Sequence, residues 1–302
     1  MRLLTRSDFD GLACGAILSY LGLIGEWKFV HPKDIQDGLV EVTDNDILAN
    51  IPYIKGCKLW FDHHSSEPER LGNKANFEGV SRQAPSCARV VYEYYGGEAK
   101  LGKFAEMLHF VDKVDSGNLT KDEILEPRGW VLLGFIMDPR TGLGRFRNFT
   151  ISNYDLMAVL AKACAEKSIY DILVMPDVKE RLDLYYQQKD LFLDMLKTHS
   201  KAQGNVILVD MRGIETIYAG NRFLIYTLFP DQNISVWIVD GRNKTNVAIT
   251  VGHSIINRTS SVDVGSLLLS YGGGGHRQVG TCQVSYDDAD KILGEILEKI
   301  NK

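Results

Sequence analysis

The chain opens on a short apolar run, Met1 to Thr5, that ends in Arg6-Ser7-Asp8-Phe9-Asp10-Gly11 and passes into a helical pattern. A buried strand feeding a helix through an acidic turn is the start of a β-α unit. The next 100 residues repeat that alternation. Strands are expected at Trp27 to Val30, Asp46 to Ala49 and Lys58 to Phe61. Helices are expected at Gly11 to Leu23, with Leu12, Ile17, Leu18 and Leu21 near one face, and at Ser86 to Tyr95 and Lys100 to Val111. Such alternation implies an α/β fold on a parallel sheet, where functional groups gather at the carboxyl ends of the strands.

Two such strand ends carry unusual chemistry. Asp8 and Asp10 are two apart, so in extended backbone their carboxylates point the same way, a pattern suited to hard divalent cations. The same pair also reads as an Asx turn with Asp10 capping the helix. The strand Lys58 to Phe61 runs directly into Asp62-His63-His64. Adjacent side chains diverge there, so one imidazole can meet a metal while the other faces a substrate. Leu108 to Gly117 adds Asp112 and Asp115 at the end of an apolar helical stretch.

Composition narrows the class. Of 302 residues, 45% are hydrophobic and 24% charged, which excludes a disordered scaffold. No run reaches the about 18 apolar residues of a membrane span, and the N-terminus meets aspartate before a signal segment forms; a cytoplasmic protein without a membrane role is expected. Five cysteines without a CxxC pair argue against a disulfide framework or a structural zinc. A net charge of −5 argues against coating duplex DNA, while leaving room for a basic pocket that takes a small anion.

Residues 120 to 200 read as mostly helical, with Val178 to Leu196 a candidate connector. Alternation returns with strands at Asn205 to Asp210, Asn233 to Asp240, Thr245 to Val251 and near Thr281 to Val284. Helices are expected at Val264 to Tyr271 and from Asp287 on, with Gly272-Gly273-Gly274-Gly275-His276-Arg277 between. The boundary is expected near 190, giving domains 1–190 and 191–302. Successive glycine N–H groups form an anion-binding concavity, and Arg277 supplies a partner for phosphate; a helix C-cap is the plainer reading. Asn257 and Arg258 are further candidate contacts, and His253 either joins them or packs. Arg140, Arg145 and Arg147, interleaved with Phe146 and Phe149, read either as a base-stacking cluster or as a solvated loop with aromatic anchors. Tyr185 and Tyr186 read as core.

The DxD-G start, the Asp62-His63-His64 triplet, the acid near 115 and the terminal GGGGHRQVG together resemble the DHH/DHHA1 phosphoesterase family, over essentially the whole chain. Within it, MDPRTGLGRFRNFTISNY is similar to the exopolyphosphatase-related subgroup. The resemblance implies a parallel-sheet DHH domain and a smaller α/β DHHA1 domain with a cleft between them. It implies Mn²⁺ or Mg²⁺ held by Asp8, Asp10, His63 and Asp115, with Asp112 the alternative late acid and Asn50 where a bridging aspartate usually stands. Asp44 and Asp46 are the candidates to replace that bridge, and Thr5, beside Arg6, stands where an early histidine often does. His64, with Asp8 and Asp10, would serve catalysis, and Asp62 would orient the turn. Gly273, Gly274, Gly275, His276, Arg277 and Arg258 would grip the substrate.

Without a bridging anion, two dications about 3.5–4 Å apart repel, so one tight ion and a second weak one are expected. The implied activity is hydrolysis of a small nucleotide-like phosphate ester: a short single-stranded oligonucleotide, a dinucleotide or a bisphosphate nucleoside. Asn50 and Thr5 favour a rival reading, nucleotide binding without turnover. Exopolyphosphatase action follows from the subgroup alone. Homodimerisation is left open.

Overall fold

The computed structural model describes residues 1–64, 67, 71–72, 76–241 and 244–301. The chain divides into two compact units, Met1–Gln187 and Gln188–Lys302.

In the first unit a five-stranded sheet has the order β2-β1-β3-β4-β5, from β1 (Arg2–Thr5), β2 (Glu26–Phe29), β3 (Asp46–Ala49), β4 (Leu59–Asp62) and β5 (Gly79–Ser81). Every pairing is parallel. The chain leaves β1 toward β2 on one side and returns to β3 on the other, so the strand order reverses at β1/β3. In sheets of this kind that switch point opens a crevice at the carboxyl ends. β1, β3 and β4 are buried on both faces, as their apolar sequences LLT, ILA and WF require.

Helix α1 spans Phe9–Tyr20, and its residues Phe9 to Leu18 are all buried. The expected single apolar face is therefore corrected: this helix is enclosed on every side, which its small residues permit. A Cβ on Gly15 would come 1.8 Å from the Trp27 ring, and one on Gly11 would come 2.1 Å from the Arg6 carbonyl oxygen. After α2 (Pro32–Gln36), α3 covers Cys87–Tyr94, capped by Ser86, whose Oγ accepts from Arg89 N. The expected helix Lys100 to Val111 is instead broken. It comprises α4 (Gly97–Leu101), a 3₁₀ turn and α5 (Ala105–Asp115). Four more helices follow, α6 (Lys121–Leu125), α7 (Gly129–Met137), α8 (Asn153–Glu166) and α9 (Ile169–Leu173), and α10 (Pro176–His199) runs through the division between the units. On α10 Tyr185 is buried, but Tyr186 is 50% exposed, against expectation, because adjacent residues on a helix point apart.

The second unit holds a mixed six-stranded sheet in the order β10-β11-β9-β8-β7-β6. Its strands are β6 (Ser200–Gln203), β7 (Val206–Asp210), β8 (Ile234–Asp240), β9 (Val247–His253), β10 (Gly274–His276) and β11 (Val279–Val284). α11 (Leu224–Leu228) lies between β7 and β8 in the chain. α12 (Val264–Leu269) and α13 (Tyr286–Ile300) bury Val264, Leu268, Leu293, Ile296 and Ile300 in one core with alternate residues of β7, β8 and β9. No helix among the described residues is long and apolar enough to cross a membrane.

Candidate metal centre

The turn after β1 is built around Asp8. It is the N-cap of α1: its Oδ1 accepts from Gly11 N at 2.9 Å, so the capping expected of Asp10 belongs to Asp8. Asp10, in the first turn and 1% exposed, sends its carboxylate to another helix. Its oxygens accept from the N–H groups of Cys87 (2.9 Å) and Ala88 (2.7 Å), two unsatisfied donors of the first turn of α3. Burial, with Asp115 and Asp8 nearby, raises the Asp10 pKa, while His63 and the Ala88 N–H oppose the rise.

Where β4 ends, the two imidazoles do not diverge as expected: they meet edge to face with ring centroids 4.7 Å apart, and differ in the partners they take. His63 Nδ1 lies 3.2 Å from the carbonyl oxygen of Ala84, which assigns its proton and leaves Nε2 facing two acids. Those are Asp10 Oδ2 at 3.5 Å and Asp115 Oδ2 at 3.4 Å. A lone pair aimed between two carboxylates is unfavourable unless a proton or a cation sits there. Burial disfavours the charged ring, but Asp115, Asp10 and Asp62 together raise the His63 pKa. His64 is tied back by Asp62: Nδ1 to Oδ1 is 2.8 Å, and the His64 N–H donates to Oδ2 at 3.3 Å. Burial pushes the Asp62 carboxyl up to about 7, and burial, then His63 and Arg6, holds His64 well below the ordinary histidine value.

The two late acids separate cleanly. Asp112 is taken up by Ser86 (2.6 Å) and by two Arg89 nitrogens (2.9 and 2.6 Å), so it belongs to the α3–α5 packing. Asp115 faces His63, with its carboxylate partly open to solvent. Asp46 is also removed as a substitute bridge: it stands at the start of β3, where Arg2 and Thr43 occupy both its oxygens. Asp44 precedes it, farther from the carboxyl ends.

Asn50 follows β3 in the left-handed region, with φ +59°, which asparagine tolerates better than most residues. Its Nδ2 donates to Asp8 Oδ1 at 3.0 Å, while its Oδ1 is buried without a hydrogen-bond partner among the described residues. Thr5 Oγ1 is orphaned in the same way. Two stranded oxygens at the same switch point as Asp8, Asp10, His63 and Asp115 fit a polar, cation-seeking site. The ligand atoms of Asp10, His63 and Asp115 all lie within 4.8 Å of one another. Two carboxylates and an imidazole form a donor set that suits Mn²⁺ or Mg²⁺.

Two arginines complete the surroundings, neither singled out in the sequence for this site. Arg6 Nε pairs with Asp8 Oδ2 at 3.1 Å. Arg140, of the expected base-stacking cluster, is held by Asp138 at 2.8 Å, and Asp138, with Asp8 and Asp115, raises its pKa. The rest of that cluster reads differently from expectation. Phe149 carries the Arg181 guanidinium 3.9 Å above its ring and is therefore occupied, while Arg145 and Arg147 are exposed.

In the second unit the glycine run is half helix cap and half strand rather than a flexible loop. Gly274, Gly275 and His276 pair with Thr281, Gly280 and Val279. Gly272, with φ +75°, and Gly273 return N–H bonds to Leu269 and Leu268, closing α12 as a C-cap does. A Cβ on Gly273 would meet Thr281 O at 2.3 Å, and one on Gly275 would meet Val279 O at 2.2 Å, so packing accounts for both glycines. Arg277 is exposed at the turn. Arg258 Nε donates to Ile255 O at 3.1 Å, Asn257 holds Asp231 O at 2.8 Å, and His253 Nε2 meets Val262 O at 2.9 Å.

Fold and site together define an α/β protein arranged to hold a divalent cation at a sheet switch point. No family model matches the chain, and no curated protein matches it. Among solved structures, the pGpG-specific phosphodiesterase PggH from Vibrio cholerae is similar at 46% identity, over 99% of this chain and 98% of that one, with a TM-score of 0.78. The DHH domain of a member of the S1p family of ribosomal proteins shares the fold at 12% identity and TM-score 0.58, over 100% of this chain and 86% of that one. An exopolyphosphatase-related protein from Bacteroides fragilis reaches 13% identity and TM-score 0.49, over 99% and 92%, which carries no argument for that subgroup. The chain belongs to the DHH/DHHA1 phosphoesterase superfamily.

Proposed function

We propose that this protein is a metal-dependent phosphodiesterase whose substrate is a linear dinucleotide, with pGpG the first candidate. The observation that carries the reading is the Asp10–His63–Asp115 trio, in a chain 46% identical over nearly its full length to a protein named for that substrate. Asp10, His63 and Asp115 would hold Mn²⁺ or Mg²⁺ tightly, with Asp8 and Asn50 beside them. The metal, when bound, supplies positive charge against the phosphate and acidifies water. His64, fixed at Nδ1 by Asp62, is read as the group that meets the phosphate and handles a proton. Residues 1–190 are read as the catalytic DHH domain and 191–302 as the DHHA1 domain. Gly273, Gly274, Gly275, His276, Arg277 and Arg258 would contact the remainder of the dinucleotide. A cytoplasmic location belongs to the same reading.

The test is turnover with Mn²⁺ of pGpG, a cyclic dinucleotide, a short RNA, a 3′,5′-bisphosphate nucleoside and polyphosphate. The expected result is preferential cleavage of pGpG, reduced about 100-fold or more in His63→Ala. Asn50 favours a second reading, in which pGpG is bound and left intact; tight binding with no product from any substrate would select it. Preferential turnover of polyphosphate would instead return the protein to the exopolyphosphatase reading.

A further inference from the structure

The hydrogen bonds at Asp8 point away from a second ion. Its Oδ1 already accepts two, from Gly11 N at 2.9 Å and Asn50 Nδ2 at 3.0 Å, which fills both lone-pair directions of that oxygen. Its Oδ2 is paired with Arg6 Nε at 3.1 Å. Asn50 thus presents a donor to Asp8, where a ligand would present an acceptor. Arg6 is 30% exposed in its side chain and has no polar partner except Asp8 among the described residues. The guanidinium is therefore anchored at one nitrogen while its other donors remain available.

Charge balance points the same way. Asp8, Asp10 and Asp115 bring three carboxylates to one crevice, while Asp62 is engaged with His64 and Arg140 is paired with Asp138. One divalent ion and one guanidinium neutralise those three carboxylates. A second dication beside Arg6 and Asp8 would add like charge where no further anion is shared.

We infer that Arg6 is the fixed second cation of this site: Asp8 positions it, the site takes a single divalent ion, and the free guanidinium donors bind the substrate phosphate. The inference rests on the phosphoesterase reading above and sharpens its metal count. Arginine suits the task because its planar donors match phosphate oxygens in pairs and its charge survives at any working pH.

The experiment counts ions on the full-length protein by equilibrium dialysis against Mn²⁺, with the electron paramagnetic resonance line shape as a second reading. One Mn²⁺ per chain with an isolated-ion spectrum is expected in wild type and in Asp8→Asn alike. Affinity should fall more than about tenfold in His63→Ala. Two ions in wild type, an exchange-coupled spectrum, or loss of an ion in Asp8→Asn would overturn the inference. A second arm measures the affinity of EDTA-treated protein for pGpG. It should weaken roughly tenfold in Arg6→Ala and recover to within about threefold in Arg6→Lys. Equal affinity in wild type and Arg6→Ala would remove Arg6 from the phosphate. The ion count does not depend on which ester is the substrate. A protein that holds one Mn²⁺ and ignores pGpG would fault the substrate reading while upholding the single ion.

Discussion

At the scale of single residues, Asn50 sets the character of the site. It combines a left-handed backbone, a bond to Asp8 and a stranded carbonyl oxygen. Asn50→Asp would turn that donor into an anion about 3 Å from the Asp8 carboxylate. Without metal, the like-charge pair should lower stability by about 1–3 kcal/mol. With Mn²⁺ the deficit should vanish and a second ion should bind, which paired denaturant titrations with and without the metal would register. Equal midpoints in both conditions would mean that the new carboxylate turns away from Asp8. The residues that converge were legible in the sequence wherever an acid or imidazole directly follows a strand: Asp8, Asp10 and His63. Asp112 and Asp115 could not be told apart there, being three apart on one helix. The choice is made by Arg89 and Ser86, which claim Asp112 from α3 across more than 20 residues of chain. Nor does the sequence assign Arg6 and Arg140 to the metal site, since an arginine acquires meaning only from the acid it meets.

Among the secondary-structure elements, the turn between β1 and α1 is the most constrained piece of backbone near the site. Gly11 lies under the Arg6 carbonyl and beside Thr5 Oγ1, which a Cβ would approach to 2.1 and 2.8 Å. The nearest obstacle is backbone, so Gly11→Ala cannot be absorbed by a rotamer change. It should cost about 1–3 kcal/mol in unfolding free energy and weaken Mn²⁺ binding together with it, as isothermal titration alongside chemical denaturation would report. Normal metal affinity in this variant would show that Asp8 and Asp10 need no such rigid turn. Strands with strong apolar runs could be read from sequence to within a residue or two. β5 and β6 could not: Gly-Val-Ser is too short, and Ser-Lys-Ala-Gln too polar, to signal a strand without its neighbour. β10 was hidden most thoroughly, because four glycines carry no strand preference, and the segment pairs with β11 by virtue of close backbone approach.

On the scale of the whole molecule, two sheets of different design share one chain. The parallel sheet places chemistry at its switch point, and the mixed sheet packs one face against α12 and α13. The change from one to the other is written in the sequence as a return of alternating patterns after Gly204. The division itself falls inside α10, whose continuous helical pattern gives no mark of it. The crowding of acids in the first unit couples metal to folding. Mn²⁺ at about 100 times its Kd should add roughly 2.7 kcal/mol and raise the melting temperature by about 5–10 °C. Scanning calorimetry should find the rise in wild type, its reversal by EDTA and its loss in His63→Ala. A melting temperature indifferent to Mn²⁺ would argue against the trio as a cation site.

The anchoring of Asp10 has a consequence for how this protein can vary. Its carboxylate is gripped by main-chain N–H groups of Cys87 and Ala88 and by no side chain of α3. Genetic drift at those two positions can therefore exchange one small residue for another without touching the grip. Proline is the exception at either position, since it alone lacks the N–H. At position 87, the first residue of the helix, proline would be tolerated by the helix itself and still release one carboxylate oxygen.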